Sequence, residues 1–155
     1  MKNILIRTAV LKDLEILLDF EQGIIEYERP MVVDMITEKF HYYDLKEMIE
    51  SENSVVVVAE VDGKLVASGY AKIKKSKHYL THECHAFLGF MFVDPEFRGQ
   101  GINNKIIDEL GRWSKSKGIK VAYLTVFAEN DSAIRAYEKQ GFEKEVIEMR
   151  LGLGE

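Results

Sequence analysis

Val93-Asp94-Pro95-Glu96-Phe97-Arg98-Gly99-Gln100-Gly101-Ile102-Asn103 is the stretch on which the architecture turns. Ahead of it, Ala86 to Val93 is an eight-residue apolar run. That is far short of the roughly 20 residues a membrane span needs, and suits a buried strand. Asp94-Pro95 ends the strand. Behind it, Ile102, Ile106, Ile107, Leu110 and Trp113 fall on one helical stripe, and Gly118 stops the helix. A strand therefore turns through two glycines into a helix. The start of a helix exposes unpaired N–H groups backed by a partial positive charge, which suits an anion. Gly99 and Gly101 let a phosphate approach the backbone where a Cβ would block it, and Arg98 adds a fork of donors. A dinucleotide fingerprint would need a third glycine at Asn104, and a P-loop would need Gly-Lys-Ser/Thr; neither is present.

Working outward, Asn3 to Arg7 is a β-prone first strand. Thr8 is placed to cap a helix carrying Leu11, Leu14, Leu17, Leu18, Ile24 and Ile25, which stops before Pro30. Met31 to Asp34 reads as loop, and Thr37 to Glu50 as a second helix. Ser54 to Val61 is a Val-rich strand, and Asp62-Gly63 is a two-residue hairpin signal leading to a return strand from Lys64 to about Lys74. Past the glycine loop and its helix come a short strand from Val121 to Phe127, a helix from Asn130 or Asp131 to Gln140, and a last strand from Phe142 to Leu153. The expected fold is mixed α/β in a single domain, 1–155.

Composition narrows the function classes. The chain has 155 residues, 46% hydrophobic and 30% charged, with 21 Lys+Arg against 26 Asp+Glu. A net charge of −5 argues against nucleic acid, whose phosphates call for a basic excess. No membrane span is expected, and the N-terminal residues Met1 to Arg7 lack a leader's apolar stretch. The single cysteine, Cys84, forbids an intrachain disulfide and fits a reducing, cytoplasmic setting. His82-Glu83-Cys84-His85 places its histidines three apart, on opposite faces of an expected strand, so no metal site is expected.

A second motif follows the first. Asn130, Ala133, Tyr137, Gly141 and Phe142 continue another strand-to-helix turn, with Asn130, Ala133 and Tyr137 on one helix face. Taken together, these residues resemble the GNAT superfamily of N-acetyltransferases over roughly Phe87 to Phe142. The family's Arg/Gln-x-x-Gly-x-Gly/Ala pattern is Arg98-Gly99-Gln100-Gly101-Ile102-Asn103 here, with Asn103 in place of the small residue. The Asn-x-x-Ala-x-x-x-Tyr-x-x-x-Gly-Phe pattern is intact.

The resemblance implies a central mixed, mostly antiparallel sheet flanked by helices, and acetyl-CoA as cosubstrate. It implies that Arg98 to Asn103 hold the pyrophosphate and that the backbone of Met91, Phe92 and Val93 binds pantetheine and polarises the acetyl carbonyl. Asn130 and Ala133 complete the cofactor side, and Tyr137 serves as general acid to the leaving sulfur. The acceptor is a primary amine of a small molecule or peptide, and dimers are common in the family, so a homodimer fits. Positions where relatives carry a glutamate base are Thr125 and Phe87 here. Glu83 and His85 are therefore the first candidates for the base, with Glu26 and Glu28 as another option. Tyr27, Glu28, Tyr42 and Tyr43 are assigned to the acceptor cleft. Two further readings stay open: a CoA-binding sensor without turnover, and a nucleotide binder that shares only the glycine loop.

Overall fold

The computed structural model describes residues 3–154, so Met1 and Lys2 of the leader reading lie outside the described residues. Contacts divide the chain into two compact units, one ending at Thr125 and one starting at Val126. In the first unit, five strands form one sheet in the order of the chain: β1 (Ile4–Thr8), β2 (Ser54–Val61), β3 (Lys64–Lys75), β4 (Cys84–Val93) and β5 (Ala122–Leu124). The first four pair antiparallel and β5 joins β4 in parallel. The expected mixed, mostly antiparallel sheet is what the chain forms. Asp62 and Gly63 both take positive φ, 50° and 78°, as a tight hairpin connection between right-twisted strands demands.

The sheet's two faces follow from alternation along its strands. Val56, Val58, Tyr70 and Phe90 pack with Leu17 and Phe20 of α1 (Leu14–Glu28) and with Leu45 and Met48 of α2 (Leu45–Glu50). On the other face, Val57 pairs with Gly69, and α3 (Ile102–Ser116) crosses there. A Cβ at Gly69 would stand 2.6 Å from Ile106 and 3.1 Å from Leu110, so glycine is what lets α3 approach the sheet.

Several local expectations are corrected. Thr8 is the last residue of β1 and caps nothing. Asp13 does that work, its carboxylate accepting the Val10 N–H at 2.8 Å and gripping Arg7 at 2.9 and 3.0 Å. That bidentate grip holds the Asp13 carboxyl below its ordinary range. The second helix shrinks to Leu45–Glu50, capped by Asp44 through the Glu47 N–H. Residues 37–44 stay irregular because α1 takes up their backbone groups: Gln22 donates to Phe40 O and Glu21 accepts the Tyr43 N–H. The strand expected over Val121 to Phe127 is only Ala122–Leu124.

The second unit holds α4 (Asp131–Lys139), whose Asn130 cap accepts the Ala133 N–H. The strand expected from Phe142 to Leu153 is not formed among the described residues, and Val146, Ile147, Met149, Leu151 and Leu153 are each at least 80% exposed. Alternation alone does not make a strand; it needs a ladder partner.

Candidate active site

The site grows from an irregularity in β4. Ser68 pairs with Phe92 and Tyr70 with Gly89, so Gly69 faces two residues, Phe90 and Met91. This is a β-bulge, and Phe90 takes a left-handed φ of 59°, which costs a non-glycine residue of the order of 1–3 kcal/mol. The structure over-determines it: the buried Ser68 hydroxyl donates to Phe90 O at 3.0 Å, and the Phe90 ring sits in the core. Beyond the bulge, Met91 points toward Gly69 and α3, while Phe92 stacks on Phe20 of α1 at 4.3 Å.

Meanwhile β5 pairs with β4 only over Ala86–Leu88. Gly89 to Val93 have no β5 partner, which leaves one edge of the strand carrying Met91, Phe92 and Val93 without a ladder from that side. An edge of unpaired backbone donors and acceptors is what an extended, amide-bearing ligand arm can pair with.

The glycine loop follows directly. Gly99 and Gly101 both have φ of 77°, and a Cβ at either would meet nothing within 4 Å. The backbone therefore requires glycine for its conformation, and the space in front is open. Gly101 is the N-cap of α3, and the first helical bond is Lys105 N–H to Gly101 O at 3.3 Å. The N–H groups of Ile102, Asn103 and Asn104 consequently have no helical carbonyl to serve. Gln100 is exposed between the two glycines. Arg98 is exposed too, anchored by its Nε to Val93 O at 3.4 Å, with its guanidinium 5.8 Å from the Tyr27 ring centroid. The Oδ1 of Asn103 is shielded from solvent and takes no hydrogen bond among the described residues. Two positive-φ glycines, the helix-start N–H groups and the Arg98 guanidinium thus fall within one seven-residue stretch, a donor set of the kind a pyrophosphate needs.

Next to the bulge lies an aromatic wall. Tyr43 packs edge-on against Phe90 at 5.4 Å and Tyr70 at 5.2 Å, and Tyr42 sits 5.6 Å from Tyr43. Burial pushes the phenols of Tyr42 and Tyr43 well above the ordinary range, with the nearby Glu28 carboxylate adding to both. Glu28 itself is half-buried at the end of α1. Burial raises its carboxyl, and the neighbouring Tyr42 phenol pulls the other way. The structure thus brings Tyr27, Glu28, Tyr42 and Tyr43 to the end of the sheet where the bulge and glycine loop lie.

It does not bring Glu83 and His85 there. His85 is the second residue of β4, about 20 Å of strand from Met91 at the usual rise per residue. Glu83 precedes the strand altogether and is exposed. The expected opposite placement of His82 and His85 is also corrected. His82 lies in the bend before β4, and both imidazoles reach the buried Ser76 hydroxyl, at 2.7 and 2.9 Å, while His82 Nε2 meets the Tyr123 hydroxyl. Among the described residues, no group of three or more His, Cys, Asp or Glu gathers as a metal would need.

One residue escaped the sequence reading. Glu21 is fully buried, its Oε1 2.6 Å from His41 Nδ1 and its Oε2 accepting the Tyr43 N–H at 2.9 Å. The signal was present: Leu14, Leu17, Leu18, Ile24 and Ile25 define the apolar stripe of α1, and Glu21 and Glu28 fall on it, seven residues apart.

In the second unit, the motif has its own internal logic. Asn130 caps α4, Gly141 takes φ of 104°, the Phe142 N–H closes on Tyr137 O, and the Tyr137 and Phe142 rings meet edge-on at 5.7 Å. Spacing that reads as a family motif is also what caps both ends of a short helix.

Comparison with known proteins agrees with this geometry. Residues 21–142 match the Acetyltransferase (GNAT) family. An uncharacterised N-acetyltransferase of Methanocaldococcus jannaschii is 32% identical over 116 residues, covering 70% of this chain but only 48% of its own length. A Clostridium acetobutylicum protein, described as a predicted acetyltransferase and solved with acetyl-CoA, superposes with a TM-score of 0.76 at 18% identity, over 97% of both chains. The aminoglycoside N-acetyltransferase AAC(6′)-Iy, solved with the bisubstrate analogue CoA-S-monomethyl-acetylneamine, gives 0.72 at 23% identity, over 97% of this chain and 99% of that one. The chain belongs to the GNAT acetyltransferase family.

Proposed function

We propose that residues 1–155 form one N-acetyltransferase domain that moves the acetyl group of acetyl-CoA onto the primary amine of a small molecule, in the cytoplasm. The observation that carries this reading is the juxtaposition of the bulged, half-unpaired end of β4 with the positive-φ glycine cradle at the start of α3. Cradle and strand end are consecutive in sequence, so pyrophosphate and pantetheine would be held by one continuous stretch, Met91 to Asn103. The small-molecule acceptor is supported by the aminoglycoside-linked analogue seen on a neighbour of the same fold.

In this reading the amine nitrogen attacks the thioester carbon. A C–N bond forms, the C–S electron pair collapses onto sulfur, and backbone donors at the bulge stabilise the oxyanion between. Such donors are worth roughly 2.7–4 kcal/mol in comparable sites. Tyr137 gives its phenolic proton to the departing sulfur. The proton lost by the ammonium goes to Glu28, directly or through one water, since a half-buried carboxylate with a raised pKa is a better base than an exposed one.

Release of CoA thiol in the presence of acetyl-CoA and neamine, spermidine or a lysine-containing peptide, offered one at a time, tests this reading. Turnover with one of the small amines is the expected result. Acetyl-CoA binding without turnover on any amine would favour the sensor alternative.

Glu28→Gln should lower kcat/KM for the amine by about 100-fold and remove the acid limb of its pH profile. The sign of the stability effect is opposite. Burial favours protonated Glu28 in the fold, so the carboxyl's contribution is present at low pH and is lost as pH rises through its raised value. The glutamine variant should therefore melt no lower than the parent at pH 8. A lowered melting temperature together with an unchanged pH profile would remove Glu28 from the chemistry.

A further inference from the structure

We infer that Glu21 is a positioning residue for the acceptor side of the site: its buried carboxylate clips residues 40–43 onto α1 and so sets the places of Tyr42 and Tyr43. The inference rests on the acceptor reading above.

A carboxylate on the apolar stripe of a helix is costly unless every oxygen is bonded, and a leucine would pack there without that cost. Glu21 has both oxygens engaged, and both partners come from one short segment, His41 and Tyr43. The neighbouring Gln22 adds a third tie, donating to Phe40 O at 2.9 Å. This segment has neither helix nor strand of its own, so α1 supplies partners that regular structure would otherwise give.

What the clip holds is the acceptor wall. Two helical turns after Glu21, Glu28 faces Tyr42, the residue between the two that Glu21 holds. Tyr43, fixed through its N–H, lays its ring against Phe90, the left-handed residue of the bulge. Releasing the clip would therefore move the phenol beside Glu28 and the ring against the bulge together. The glycine cradle takes no part in these contacts.

Amide hydrogen exchange followed by NMR reads the clip without any ligand. In Glu21→Leu, the Tyr43 amide should exchange about thirtyfold faster, with Val57 and Val58 in the central sheet unchanged. Glu21→Gln keeps an oxygen for the Tyr43 N–H and should stay within about fivefold of the parent. His41→Ala alters a half-exposed partner and should accelerate Tyr43 by about fivefold, which decides the matter if Glu21→Leu does not fold. With acetyl-CoA and neamine as substrates, Glu21→Leu should raise the neamine KM about tenfold while kcat and the acetyl-CoA KM stay within about threefold. Unchanged Tyr43 exchange in both Glu21→Leu and His41→Ala would overturn the inference. So would Tyr43, Val57 and Val58 accelerating together, which is loss of global stability, or a rise in both KM values alike. If no protein, parent included, acetylates neamine, the turnover reading for that amine fails, and the exchange data alone decide the clip.

Discussion

Replacing Tyr137 by phenylalanine should lower kcat for acetyl transfer by about 100-fold or more and leave acetyl-CoA affinity within a few-fold of the parent. A thiol with a pKa near 8.5 leaves better when a phenol near pKa 10 hydrogen-bonds to it or protonates it as the C–S bond breaks. Phenylalanine removes that proton together with the hydroxyl that carries it. The ring that meets Phe142 edge-on is kept, and the backbone carbonyl that closes on the Phe142 N–H is untouched. Circular dichroism and melting temperature should therefore match the parent. A kcat within threefold of the parent, on an amine that the parent acetylates, would take the general-acid role away from Tyr137 and leave it a packing residue.

The second large effect is expected at Gly101. Gly101→Val should weaken acetyl-CoA binding by about 100-fold, measured by calorimetry. Two causes combine. Valine at φ of 77° is strained by the order of 1–3 kcal/mol, and its branched side chain adds bulk at the residue next to the N–H groups of Ile102 to Asn104, in space that is open in the parent. Strain alone would destabilise the fold without touching affinity, so a control is needed. Gly118 offers one: it takes φ of 79° just past the other end of α3, and a Cβ there meets nothing. Gly118→Val should lower the melting temperature by a similar amount and leave acetyl-CoA affinity as it was. Equal losses of affinity in both variants would mean that helix stability, not the cradle, governs binding.

The parts of the fold that were legible are those written in local chemistry. Asp62-Gly63 announces its hairpin because only residues tolerant of positive φ fit that turn. Gly99 and Gly101 announce their loop in the same way, Asn130 announces its cap by a side-chain oxygen that accepts the Ala133 N–H, and these residues belong to the family motifs. What escaped depends on partners distant in sequence. The irregular course of 37–44 follows from α1 side chains about twenty positions upstream. Thr8 lost its expected role because a strand partner in β2 claimed it, leaving the cap to Asp13. The bulge at Phe90 cannot be seen in a run of apolar residues, since register is a property of two strands. Glu83 and His85 are eligible as a base by residue type alone; Glu83 lies before β4 and His85 near its start, a strand's length from Met91. Glu21 was the one legible signal left unread: a charge on an apolar stripe is out of place unless something buried needs it.

The most direct test of the central claim is a thermal-shift titration with acetyl-CoA, with ATP and NAD as controls. Ligand at 100 times its dissociation constant adds about 2.7 kcal/mol, which for a domain of this size moves the midpoint by roughly 5–10 °C. A shift of that order with acetyl-CoA and none with ATP or NAD is the predicted result. No shift at millimolar acetyl-CoA, or an equal shift with ATP, would contradict the assignment of the Gly99–Gly101 cradle to coenzyme A.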